Sequence, residues 1–242
     1  MINAPKVING SKSIAYREKF NLMLGLMIAY NSYCINYYTL HPELLYQTDI
    51  NHFDDEHQEK ITRTLMELEV SRRFSFHSKI SNFLSSINIV INTNYSFVKK
   101  FNCDAITEIM KHKIQNMDKS LKLAKELRIL YEHGRLLPLH FESKTTFGKY
   151  NIDTIFHIVI NKEYLVSKDI KSDVKQHLKE TNERSIDLYD LFKRHFDFNI
   201  DLYNSIRDEF LKQYVVCDTT RFFHQQHCLC NGIEQKFELI TQ

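Results

Sequence analysis

Apolar residues recur along most of this chain at intervals of three and four, the period of a helix that buries one side. Ile61, Leu65, Leu68, Phe76, Ile80, Phe83, Ile87 and Val90 keep that spacing most clearly, which predicts one long helix with Arg72 in the gap of its stripe. An earlier helix is predicted from about Ser13 to Tyr38. It is apolar nearly all round, as a buried helix is, and His41-Pro42 stops it. A third helical region spans Asp104 to His133, where Met110, Ile114, Met117, Leu121 and Ala124 form one stripe beside Leu123, Leu127 and Leu130. Gly134 follows, where a helix commonly closes on a left-handed residue. A fourth region begins near Ser172 and carries Ile186, Tyr189, Phe192, Phe196, Ile200, Tyr203, Ile206, Phe210 and Tyr214.

Between the third and fourth regions the period drops to two. Phe156, Ile158 and Ile160 alternate with His157 and Val159, and Glu163 to Val166 follow Asn161-Lys162, which predicts a short hairpin turning at Asn-Lys. Leu44 to Asp55 reads as polar and irregular, residues 1–11 as a flexible terminus and residues 217–242 as a C-terminal tail. No repeat or linker divides the chain. The expectation is an all-α fold in a single domain, residues 1–242: a helical bundle of about four long helices with a small β-hairpin insertion.

Composition narrows the functions open to such a bundle. Only 5 Gly and 3 Pro occur in 242 residues, and neither GxGxxG nor GxxxxGK[ST] is present, so the glycine loops that cradle nucleotide phosphates are excluded. Lys and Arg (32) nearly balance Asp and Glu (30), which excludes a uniformly basic nucleic-acid binder while leaving room for local basic patches. The five cysteines are odd in number and unevenly spaced, which predicts a reduced, cytoplasmic setting. The most apolar run, Leu22 to Ala29, is far shorter than the about 20 residues of a membrane span, so no membrane is expected.

Chemistry concentrates between Leu127 and Gly134. Arg128 continues the apolar stripe, so its guanidinium turns towards the bundle, and a buried charge needs a partner. Glu132, one turn on, can supply it. His133 stands at the helix end, where the dipole favours its cation. An arginine and a histidine sharing a cleft suit metal-independent RNA cleavage: the imidazole moves protons while the guanidinium holds the phosphate and its developing charge.

This Arg-x4-His spacing, with Glu before the His at the close of a long helix in an all-α chain, resembles the HEPN superfamily over about residues 55–215. The resemblance implies a homodimer with two motif copies in one cleft, and RNase activity or nucleotide binding, in many members within toxin–antitoxin, CRISPR or phage-defence systems. It implies Arg128 and His133 as the motif pair: His133 for proton transfer and Arg128 for the phosphate, oriented by Glu132. Arg72 and Arg135 are the auxiliary phosphate contacts expected beside them. RNA or a nucleotide is the expected ligand, a second copy of the chain or another protein the expected partner, and no cofactor or metal ion is called for. Ile129 stands where the family often has a polar residue, and it favours a different class, a non-catalytic helical binding module.

The same spacing recurs at Arg72–His77, Arg135–His140 and Arg221–His227. The tail packs His224, His227, Cys228 and Cys230 into seven residues, zinc-ligand types without the separated ligand pairs of a structural site. His52 and His57 flank Asp54, Asp55 and Glu56, which reads as the cap of a helix start.

Overall fold

A computed structural model of the chain describes residues 10–50, 55–71, 73–134, 136–147 and 152–213. Eight helices occur among them: α1 (Gly10–Leu44), α2 (Asp55–Ser71), α3 (Arg73–Phe101), α4 (Asp104–Gln115), α5 (Lys119–Glu132), α6 (Lys162–Ser167), α7 (Ser172–Glu180) and α8 (Leu188–Gln213). Four strands accompany them: β1 (Leu45–Ile50), β2 (Leu139–Phe147), β3 (Ile152–Asn161) and β4 (Ser185–Asp187). The fold is mostly helical with a small antiparallel sheet, as expected, but its divisions are finer than the apolar periodicity indicates. Of the terminus expected to be flexible, residues 1–9 lie outside the described residues, as does the C-terminal tail, whereas Gly10 and Ser11 begin α1.

α1, α3 and α8 enclose the core. Lys19 lies over the Phe101 ring, Tyr30 meets Asn94, and Tyr37 packs on Phe83, so α1 and α3 run antiparallel. Tyr33, fully buried, stacks on Phe83 of α3 at 5.3 Å and on Phe196 of α8 at 5.5 Å between ring centroids. Aromatic rings thus fill the space that three helices without a fourth long partner would otherwise leave void.

The predicted single helices break where side chains supply new caps. Asn102 takes a left-handed conformation (φ 51°) and closes α3, after which α4 starts at Asp104. The region predicted as one helix from Asp104 to His133 divides at Asn116–Asp118, because the Asp118 carboxylate accepts the Ser120 N–H at 2.9 Å and starts α5 afresh. Gly134 does close α5 with φ 68°. The long second helix is two helices, α2 and α3, and Arg72 between them lies outside the described residues. α1 continues past His41-Pro42 to Leu44 and leads directly into β1, where an irregular segment is expected.

The hairpin is a correction of partner. β3 buries Phe156, Ile158 and Ile160 as the alternation predicts, and Val159 as well, but it pairs with β2 before it and not with residues 163–166 after it. Asn161 is the N-cap of α6: its side chain accepts from the N–H groups of Glu163 (2.7 Å) and Tyr164 (3.3 Å), which turns the chain into helix at the predicted hairpin corner. β2 holds one edge of β3, while β1 and β4 take successive stretches of the other.

Inside the core, His195 of α8 is 3% exposed. Its Nδ1 lies 3.0 Å from both the Tyr33 hydroxyl and the Asn199 amide nitrogen. The amide N–H donates, so Nδ1 accepts and the ring is neutral. Burial pushes His195 down to about 4, whereas in the unfolded chain it titrates near about 6.5. The unfolded chain therefore binds this proton more readily. The His195 contribution is complete above about pH 6.5 and is lost as the pH falls towards about 4, an effect of at most roughly 3 kcal/mol. The urea midpoint is expected to fall across that window, and less steeply in His195→Gln; equal slopes for the two proteins contradict this.

Candidate functional site

α5 carries the sequence-predicted residues, and its helical spacing aligns Arg128, Tyr131 and Glu132 along one side. Arg128 Nη1 donates to Glu132 Oε1 at 2.5 Å. The arginine side chain is 14% exposed and the glutamate 53%. The guanidinium is therefore drawn into the protein surface while its carboxylate partner stays in contact with water. Arg128 Nε is buried with no hydrogen-bond partner among the described residues. An orphaned, buried donor on a charged group is costly.

His133 is the C-cap of α5 and is exposed. Its N–H donates to the Ile129 carbonyl at 3.1 Å, and Gly134 N–H donates to the Tyr131 carbonyl at 2.9 Å. This tight closure fixes the backbone at His133 while leaving the imidazole open to solvent.

The structure also brings in a residue from the second Arg-x4-His pair. His77, 8% exposed on α3, has its Nδ1 2.8 Å from the Tyr131 hydroxyl. Burial raises the Tyr131 phenol well above its ordinary range, so the hydroxyl stays protonated and can serve His77 as donor or acceptor. The histidine of one candidate pair thus meets the helix that carries the other. Arg72 and Arg135 lie outside the described residues, as do the tail residues His224, His227, Cys228 and Cys230. His140, from the third pair, stands exposed on β2. Among the described residues no group of three or more His, Cys, Asp or Glu is placed to hold a metal ion.

No protein-family model, curated protein or solved structure matches this chain. What the site can do chemically rests on its own side chains: a largely buried guanidinium paired with Glu132, an exposed imidazole, and a second, buried imidazole tied to a phenol. None of the described helices is long and apolar enough to cross a membrane.

Two groups on this helix lack a sequence signal. Glu126 is 3% exposed, and its Oε2 accepts the Lys171 N–H at 3.2 Å, just ahead of α7. Tyr131 reads from sequence as an ordinary half-buried aromatic, and only the approach of α3 makes it a partner of His77.

The His77–Tyr131 bond can be tested by removing one side and then both. Tyr131→Phe leaves a buried ring nitrogen without its hydroxyl and is expected to cost about 1–3 kcal/mol in urea unfolding. The double variant His77→Phe/Tyr131→Phe is expected to recover part of that loss, since neither polar group is then left alone. A double variant less stable than the sum of the singles contradicts the pairing.

Proposed function

We propose that the protein is a HEPN-like, metal-independent endoribonuclease that acts as a homodimer in a toxin or phage-defence setting. The observation that carries this reading is the state of Arg128: a largely buried guanidinium, braced by Glu132, with an unpartnered Nε and the exposed His133 at the end of the same helix. In this reading Arg128 grips the scissile phosphate and the charge that develops on it, and Glu132 orients the guanidinium. His133 removes the proton from the 2′-hydroxyl as that oxygen attacks phosphorus, or donates a proton to the leaving 5′-oxygen. The second copy supplies the other role from its own motif. Arg72 and Arg135 bind flanking phosphates.

A homodimer needs a surface that tolerates itself, and the outward positions of α1 and α3 are suited to that. α1 has no Asp, Glu, Lys or Arg from Asn21 to Pro42, and α3 has none from Ile80 to Val98. These stretches lie antiparallel, and they expose Ile28 (60%), Ile35 (58%) and Ile89 (49%). A two-fold interface sets a patch against its own copy, so an uncharged patch avoids self-repulsion, and interface cores are depleted in charge. The second copy is the occupant assigned to this face.

The alternative is a non-catalytic helical binding module in which the Arg128–Glu132 pair only braces α5, a reading favoured by Ile129 directly after the arginine. Incubation of a labelled mixed-sequence RNA in EDTA separates the two. The nuclease reading predicts cleavage by the wild type and a loss of at least about a hundredfold in both Arg128→Ala and His133→Ala, with unchanged melting curves. Intact RNA with every protein supports the binding module. Ile28→Lys/Ile35→Lys is expected to yield a monomer in sedimentation; a wild type that is itself monomeric at micromolar concentration contradicts the composite cleft.

A further inference from the structure

A cleft of about 870 Å³ opens well away from Arg128, at the opposite end of α5, between that helix's first turn, α7, the β4–α8 corner and one face of the β2–β3 pair. Val159 pairs with Asp187 in the sheet register, which sets His157, two residues along β3 on the same face, beside the Asp187 carboxylate. His157 Nδ1 lies 2.7 Å from Asp187 Oδ2. The other carboxylate oxygen accepts the backbone N–H of Tyr189 at 2.8 Å and of Asp190 at 3.4 Å. Asp187 therefore caps α8, and its anion is held in place by the positive end of a 26-residue helix.

A carboxylate with this many donors acts only as an acceptor, so the proton between the two residues sits on His157 Nδ1. The ring is thereby oriented, and Nε2 has no partner among the described residues. At 21% side-chain exposure the imidazole is half sunk in the cleft wall with this second nitrogen available to a ligand.

The cations and anions of the cleft are not equally available. Asp187 is taken by His157 and the helix end, and Asp118 by the Ser120 N–H, with Arg194 Nη1 3.7 Å from its Oδ2. Those same contacts, the Ser120 N–H foremost, hold Asp118 below the usual carboxylate range. Glu180 accepts the Gln176 amide at 2.8 Å. Arg184, in contrast, lines the cleft with an exposed side chain that has no carboxylate partner among the described residues. His177 adds a third nitrogen base from α7.

We infer that this cleft binds a phosphate monoester, with His157 Nε2 and the Arg184 guanidinium as its contacts and Asp187 as the residue that orients His157. A phosphate monoester suits a planar guanidinium that can hold two oxygens and a ring nitrogen held in a fixed direction, which can share a proton with a third. Glu142, opposite His157 in the β2–β3 register, and Glu183 and Asp190 also line the cleft with exposed side chains, and the exposed Lys144 adds a second cation beside Arg184. This site is independent of the nuclease reading, since it uses none of that reading's residues.

The test is a titration of the full-length, imidazole-15N-labelled protein with AMP, observing the histidine ring nitrogens by NMR, and with adenosine as the control lacking phosphate. Saturable movement of the His157 Nε2 signal with AMP and none with adenosine is expected, with a Kd in the millimolar range or tighter. Arg184→Ala is expected to weaken binding at least about tenfold. Asp187→Asn keeps a cap on α8 yet loosens the ring, and its expected signature is a changed His157 tautomer signal with weaker AMP binding. Arg128→Ala is expected to bind AMP as the wild type does, which keeps this outcome distinct from the fate of the nuclease reading. An unmoved His157 signal at about 10 mM AMP, or equal shifts with adenosine, overturns the proposal.

Discussion

Tyr33 is the contact on which the rest of the molecule depends. Its ring stacks on Phe83 from α3 and Phe196 from α8, and its hydroxyl reaches His195 Nδ1 in the same core. One side chain thus fixes both the spacing and the rotation of the three long helices. Aromatic packing alone tolerates sliding, whereas a buried hydroxyl that must meet a buried imidazole does not. Asn199 and, one turn along α1, the Tyr30–Asn94 bond extend the same specification.

The candidate site inherits its geometry from that frame. α3 is positioned by Tyr33 and Tyr37 of α1, and α3 in turn presents His77 to Tyr131 of α5. Leu123, Leu127 and Leu130 anchor α5 in the same core, which leaves Arg128 at its edge, its guanidinium paired with Glu132 and its Nε buried. At the other end of α5, Asp118 and Ser120 form part of the His157–Asp187 cleft. One fourteen-residue helix therefore joins the Arg128–Glu132 pair to the His157–Asp187 cleft.

The helical character, the buried faces of α3 and α8, the Gly134 stop and the Arg128–Glu132 pair were all legible in the sequence, because each follows from local spacing. What escaped it depends on side chains that compete with the backbone or on contacts far apart in the chain. Asp118 and Asn161 end one element and start another through single carboxylate and amide oxygens, which a hydrophobic period does not register. β1 was hidden because its partner lies more than a hundred residues later. His157 looks like a polar residue in a strand, and Asp187 like one more residue of the helix predicted from Ser172, which in fact breaks at β4. Only the register of β3 with β4 makes them a pair, and only the α3–α5 contact gives Tyr131 its histidine.

In the proposed nuclease, Arg128 and Glu132 are placed for chemistry and not merely to brace a helix. Exchanging the two charges, Arg128→Glu/Glu132→Arg, keeps an ion pair while moving the guanidinium one turn along α5. A swapped protein that melts near the wild-type temperature but no longer cleaves RNA is the predicted result. A swapped protein that cleaves as well as the wild type, or a wild type that leaves RNA intact, would contradict the claim and leave the pair a structural brace.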